Sequence, residues 1–220
     1  MKILIACEES QRVCCAFRAK GHETYSCDVV DCSGGHPEWH IKQDVIPLIN
    51  GNCEFKTCDG TKHDIKGQWD MIIAFPPCTY LTTAGAVRLY TKSGINEERL
   101  KLGKEASKFF NSILFCNCDK ICVENPVPLK IFDLPNYSQI IQPYYFGNPY
   151  IKRTCLWLKN LKSLRPTKYL NKEDCQLWVN AGTKNKKTGL RRKNVGLVVN
   201  QKERSKTFYG VAQAMAEQWG

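Results

Sequence analysis

The chain predicts an open, doubly wound α/β fold, with a mostly parallel sheet and an antiparallel hairpin at one edge. Three observations carry that expectation. Short apolar runs alternate with segments of helical spacing, the runs stop abruptly in polar or proline-containing turns, and one late pair of runs lies too close together for a helical crossover.

Lys2 to Ala6 is an apolar run of the kind buried on both faces of a parallel sheet. A helix follows, with Ser10 as its expected cap, Val13, Ala16 and Phe17 on one stripe, and Lys20-Gly21 as its stop. Glu23 to Cys27 reads as a second strand ending at Asp28, and Ile41 to Asp44 as a brief third. Trp69 to Phe75 is the clearest buried strand, halted by Pro76-Pro77, which have no N–H to give a ladder. Between about Glu97 and Phe115, Leu100, Ala106, Phe109, Phe110 and Ile113 form one helical stripe. Lys120 to Val123 is the next strand and runs into Glu124-Asn125-Pro126. Ile140 to Phe146 and Thr154 to Leu158 then flank Gly147-Asn148-Pro149 as the edge hairpin. The pattern weakens from Asn171 to Gln201, and Tyr209 to Trp219 reads as an amphipathic helix.

Composition narrows the class. With 220 residues, 43% hydrophobic and 24% charged, the chain has material for one ordinary core, which excludes disorder and collagen. No run approaches the roughly 20 apolar residues of a membrane helix, and the N-terminus turns acidic at Glu8 where a signal peptide would stay apolar. A cytoplasmic protein without a membrane partner is expected. The 13 cysteines are odd in number and scattered, with Cys7, Cys14, Cys15, Cys116, Cys118 and Cys122 among apolar neighbours, so they read as reduced, small hydrophobes. Thirty-two Lys and Arg against 21 Asp and Glu give a formal net charge of +11, which attracts polyanions. Nucleic acid is the first partner to consider, against the plainer reading of a lysine-rich, soluble surface.

In a doubly wound sheet, ligands bind outside the carboxyl ends of the strands, so polar residues there are the candidates. Cys78 follows Pro76-Pro77 on a stiff turn, placed as a nucleophile would be; a thiol among twelve others is also simply a core residue. Glu124 ends what should be the adjacent strand, within plausible reach of Cys78, and could share a proton with a ring nitrogen if the site raises its pKa. Cys32, His36 and His40, or Cys53, Cys58 and His63, lack paired Cys-x-x-Cys spacing, and no metal is expected. The loop from Asp31 to His40 instead offers Trp39 as a stacking surface.

The order of these motifs resembles the cytosine-5 DNA methyltransferases, in particular their short phage-type relatives, some of which serve restriction-modification. Pro77-Cys78 resembles the family's Pro-Cys loop, Glu124-Asn125 its Glu-Asn pair, and Gly147 to Thr154 its Gly-Val-Pro-Gln-x-Arg-x-Arg segment. The likeness covers residues 1 to about 158 and implies a Rossmann-like class I methyltransferase fold. It implies that Cys78 adds to carbon 6 of cytosine, that Glu124 assists at N3, that Asn125 holds the loop or the base, and that Lys152, where the family uses Arg, contacts the base carbonyl. It also implies S-adenosylmethionine at the ends of the first strands, near Cys7, Glu8, Asp28, Asp44 and Pro76. The segment Ala6-Cys7-Glu8-Glu9-Ser10 departs from the family in having no glycine there, and Asp28 has the plainer reading of a turn residue. Thr79, Tyr150 and Phe208-Tyr209-Gly210-Val211 depart from the family's pattern too.

A single domain over 1–220 is expected, with a small basic insertion at about 160–201 in place of a large target-recognition domain. Lys184, Lys186, Lys187, Arg191, Arg192 and Lys193 would bind phosphates, and Arg88 would act from a lid over 85–96. The expected activity is methyl transfer to carbon 5 of cytosine in DNA. A non-catalytic nucleic-acid or nucleotide binder on the same fold, and modification of RNA or a free nucleotide, remain the alternatives.

Overall fold

The computed structural model describes residues 1–180, 195–198 and 205–220, with the backbone alone at 179–180 and 195–198. The predicted basic cluster, Lys184, Lys186, Lys187, Arg191, Arg192 and Lys193, lies outside the described residues.

Seven strands form the central sheet: β1 (Lys2–Ala6), β2 (Glu23–Asp28), β3 (His40–Lys42), β4 (Met71–Ala74), β5 (Ile121–Pro126), β6 (Gln139–Ile141) and β7 (Thr154–Lys159). Their spatial order is 3-2-1-4-5-7-6. The 3-2-1-4-5 part is the doubly wound order, reversing direction at β1 and so opening a crevice between β1 and β4 at their carboxyl ends. Every pair from β3 to β5 is parallel, while β7 runs antiparallel between β5 and β6. This is a Rossmann-like fold with an antiparallel edge hairpin.

Two cores sandwich the sheet, as strand alternation requires. Ile3, Ile5, Met71, Ile73, Cys122 and Leu156 face α1 (Arg12–Arg18) and α3 (Tyr209–Trp219), which pack against each other. Leu4, Ala6, Ile72, Ala74, Ile121 and Val123 face α2 (Glu97–Leu114). The start of α2 follows its local signals: the Asn96 side chain accepts from the Arg99 amide at 2.9 Å, and Glu97 and Glu98 occupy the first turn. None of the 13 cysteines is in a disulfide.

Several expectations are corrected. Ser10 does not cap α1; the N-cap position is Gln11, and the Glu8 carboxylate reaches the helix amides instead. The strand predicted from Ile140 to Phe146 stops at Ile141, because Pro143 turns the chain into a short 3-10 segment, Pro143–Tyr145. The strand predicted to end at Val123 continues through Pro126, paired by β7. A hairpin of Cys53–Lys56 with Lys62–Ile65 went unforeseen, its phase being carried by half-buried alternation over only four residues. A second sheet joins Tyr150–Ile151, Gln176–Asn180 and Val195–Val198 where the sequence pattern had weakened.

Gly103 on α2 faces the Phe132 ring so closely that a Cβ would overlap it. Alanine is favoured over glycine in helices by about 1 kcal/mol, but overpacking a core typically costs about 1–3 kcal/mol. Gly103→Ala is therefore expected to lower stability. Urea unfolding checks the sign, and a raised midpoint would show that Phe132 gives way freely.

Candidate functional site

At the carboxyl edge, β4 ends at Ala74 and the chain turns at the buried Pro76 into the half-buried Cys78. The loop that follows runs alongside the segment leaving β5. Leu129 N–H donates to Leu81 O at 2.7 Å, Thr83 N–H to Val127 O at 3.2 Å, and Thr82 bridges Pro128. Asn125 fastens the same junction, its Nδ2 donating to Pro76 O at 3.3 Å. Asn125 is fully buried on the α2 face, and its Oδ1 has no hydrogen-bond partner among the described residues. It thus holds the loop.

Glu124, one residue earlier, points to the opposite face. It lines a narrow cleft with Phe75, Lys152, Thr154, Phe208 and Met215, closed by the start of α3. The antiparallel register explains the meeting: Thr154 pairs with Pro126, so the residues just before β7 arrive at the end of β5. Burial pushes the Glu124 carboxyl up from its ordinary value, against the lowering pull of Lys152 and of a hydrogen bond from Thr154. The structure therefore brings Glu124 and Lys152 into one cleft, with the Cys78 loop beside it. Cys78 itself is not among the residues lining that cleft. A wider groove at Met1, Asp70 and Asp119 lies at the amino ends of the strands and contains none of the predicted residues.

At the crevice end of β1, the glycine-free turn takes up left-handed backbone without glycine: Cys7 has φ 57° and Gln11 φ 58°. Glu8 is turned inward, accepting from Val13 N–H at 2.7 Å and Cys14 N–H at 3.1 Å, so it anchors α1 where the resemblance implied a cofactor contact. Asp28 and Asp44 converge with Cys7 closely enough to raise its thiol, after burial as the main cause. Each carboxylate also accepts from its own turn, Asp28 from Val30 N–H and Asp44 from Ile46 N–H. The loop after β2 folds onto this turn: Gln11 donates to His36 O at 2.8 Å and accepts from His36 N–H at 3.1 Å, and Ser33 N–H donates to Glu9 O. Trp39, expected as a stacking surface, stacks on His36 at 3.8 Å with Arg18 also against its ring.

Arg88 is exposed on the single helical turn Ala86–Leu89. Among the described residues no group of three His, Cys, Asp or Glu is arranged to hold a metal ion, and no helix is long and apolar enough to cross a membrane.

Sequence reasoning missed Arg99. Its guanidinium donates to Thr79 O at 2.7 Å, lies 5.0 Å from the Tyr80 ring centroid, and fits against Gly85, where a Cβ would crowd it. The signal was present. A cation in the first turn of a helix opposes the macrodipole, so it needs a tertiary reason to be there.

No protein-family model matches the chain, and no curated protein sequence does. Among solved structures, the chain is similar to a candidate DNA modification methyltransferase encoded within a prophage (E. coli), at 13% identity and a TM-score of 0.42 over 76% of this chain. The chain spans about half, 51%, of that structure's length. The fold assignment accordingly rests on the strand order and register described above.

Two measurements follow from the geometry. Burial raises the Glu8 carboxyl from 4.5 to about 7, so the folded state binds its proton more tightly than the unfolded chain does. The stability from that proton is fully present below about pH 4.5 and is lost as pH rises through about 7, an effect on the order of 3 kcal/mol. Glu8→Gln should flatten this slope in urea titrations at pH 5 and 7.5; a variant with the wild-type slope would assign it to another group. Arg99→Ala should leave global stability within about 1 kcal/mol, because the contact is exposed, yet speed alkylation of Cys78 as followed by peptide mass spectrometry. Unchanged Cys78 reactivity would mean that the loop is held without Arg99.

Proposed function

We propose that this chain methylates carbon 5 of cytosine in DNA, with Cys78 as nucleophile and Glu124 as the group that holds a proton at N3 of the base. The observation that carries the reading is a half-buried carboxyl at the carboxyl end of β5, kept near a cation and one residue from the amide that holds the loop bearing a thiol. Such a group keeps its proton to higher pH than a solvated glutamate, as a donor to a weakly basic ring nitrogen must.

In this reaction the Cys78 thiolate forms a bond to carbon 6 while Glu124 donates to N3, which makes carbon 5 electron-rich. After carbon 5 gains the methyl group, a base removes its proton, the bond from Cys78 to carbon 6 breaks and N3 returns its proton to Glu124, restoring the aromatic ring, the thiolate and the carboxylic acid. Lys152 balances charge beside Glu124 and would contact the base carbonyl. Asn125 and Arg99 hold the loop. A duplex buries carbon 6 in the stack, so the target base leaves it, at a few kcal/mol.

The residues at the crevice fit a methyl donor with a ribose and an amine. Cys7 supplies the left-handed turn that glycine usually supplies, Asp28 and Asp44 are near enough to act electrostatically on its thiol, and the buried Pro76 follows the end of the neighbouring β4. S-adenosylmethionine, when bound, would supply an electrophilic methyl group. Asp28 and Asp44 would accept from it.

The latch of His36 on Gln11 favours a second reading, a nucleic-acid or nucleotide binder without transfer, because it ties a loop across the turn that a donor would approach. Calorimetry with S-adenosylmethionine separates the two. Labelled methyl transfer to duplex DNA, single strands, RNA and free dCMP identifies the substrate.

Cys78→Ser is expected to abolish transfer and leave DNA binding near wild type, and Glu124→Gln to slow transfer by about 10²–10⁴-fold. Because the protonated carboxyl is the active form, the wild-type rate should fall as pH rises through the raised Glu124 value, and Glu124→Gln should lack that limb. Full activity in Cys78→Ser would end this mechanism.

A further inference from the structure

The segment that continues from the Cys78 loop carries a feature the reaction does not use. Tyr90–Thr91 and Gly94–Ile95 form a two-stranded antiparallel hairpin, with Tyr90 directly opposite Ile95. Opposed residues of such a pair share one face. That face looks outward: Tyr90 is 49% exposed, Ile95 43%, and the nearby Val87 64%. Among the described residues Tyr90 makes no ring contact.

Two-residue strands do not hold together unaided. This hairpin is built at both ends. Thr91 Oγ1 donates to Gly94 O at 2.7 Å, and Gly94 takes φ 117°, a conformation open to glycine. At the base, Asn96 N–H donates to Leu89 O at 2.9 Å, and Leu89 is buried. Arg99 then ties the base to the Cys78 loop through Thr79. The projection is thus positioned relative to the candidate nucleophile.

Its charge selects the partner. Residues 71–96 contain no Asp or Glu, while Arg88 and Lys92 flank the apolar pair and are exposed, in a chain of net charge +11. An aromatic ring beside an aliphatic side chain, with Arg88 and Lys92 close by in sequence, complements a flat apolar base whose strand carries phosphates. The exposed Glu97 and Glu98 follow at the start of α2.

We infer that Tyr90 and Ile95 form a stacking face for an unpaired DNA base next to the target, with Arg88 and Lys92 on the adjoining phosphates. The inference rests on the proposed reaction in one respect, that the target leaves the stack and exposes a neighbour. Apolar side chains that occupy such gaps offset part of the unstacking penalty.

Fluorescence anisotropy on the full chain, at fixed salt, compares short probes of one composition: a matched duplex, a duplex with one unpaired base, and a single strand. The wild type should bind the second and third about tenfold or more tightly than the first. Tyr90→Ala/Ile95→Ser should lose that preference and keep its affinity for the matched duplex, while Tyr90→Phe should retain it. If the double variant melts early, Tyr90→Leu, which keeps an apolar side chain without the ring, serves in its place. In the wild type, 2-aminopurine at the unpaired position should be quenched on binding.

A preference that survives in the double variant, or a wild type with neither preference nor quenching, overturns the inference. So does wild-type binding to phosphatidylserine vesicles that the double variant loses with no change on DNA, since the face would then belong to a lipid surface. Methyl transfer on the same samples keeps the two claims apart. A Tyr90-dependent preference without transfer removes the reaction and retains the stacking face; transfer without the preference does the reverse.

Discussion

A carboxyl group taken out of water at the end of a strand must keep its proton or find a cation. Glu124 is placed between those two outcomes. Burial favours the proton, and Lys152 and the Thr154 hydroxyl favour the charge. This balance depends on one topological choice, the reversed direction of β7. Had β7 run parallel to β5, its amino end would lie at the far edge of the sheet with Met1 and Asp70. The antiparallel register instead sets Thr154 opposite Pro126 and carries Lys152 to the cleft.

Much of this was legible in the sequence, for identifiable reasons. The runs Lys2–Ala6 and Met71–Ala74 are apolar on both faces because helices cover both, and no other element type reads that way. The long stripe of α2 marked its start and end to within a residue. Pro76-Pro77 marked the end of β4 because proline interrupts a ladder, whereas Glu124, Asn125 and Pro126 stay within β5, where β7 pairs them. What stayed hidden was tertiary. The Cys53–Ile65 hairpin alternates over too few residues to declare a period, and the sheet at Tyr150–Ile151 pairs strands from distant parts of the chain. Arg99 and Gln11 act on loops far from them in sequence, so their spacing carries no trace of their partners.

The turn after β1 shows the same limit more sharply. It has no glycine, yet Cys7 and Gln11 adopt the left-handed conformation at about 1–2 kcal/mol each. The surroundings hold them there. Gln11 exchanges two hydrogen bonds with the His36 backbone, Gly34 packs directly on its side chain, and Glu8 gathers two amides of α1. Ser10, the residue with the best capping chemistry, is displaced from the cap by a buried glutamate two positions earlier, to which its hydroxyl donates at 3.4 Å. A carboxylate in apolar surroundings gains more from helix amides than a hydroxyl does, which is why local propensity lost at this position.

The Glu124-Asn125 pair condenses the argument into two residues. Because successive strand residues face opposite sides, neighbours in a strand cannot both serve one pocket, and these two do not. Glu124 turns to the α3 face and lines the cleft; Asn125 turns to the α2 face and holds Pro76, two residues before Cys78. Both positions move together if β5 moves. A shift of β5 by one residue would swap them, putting an amide in the cleft and a carboxyl against the buried carbonyl of Pro76, with no donor for it. The six-residue pairing with β7 and the parallel pairing with β4 forbid that slip. The placement of the acid relative to the thiol-bearing loop is therefore a property of the sheet register, with the loop tied to β5 and the segment after it by the Asn125 amide and by the backbone bonds at Leu81 and Thr83.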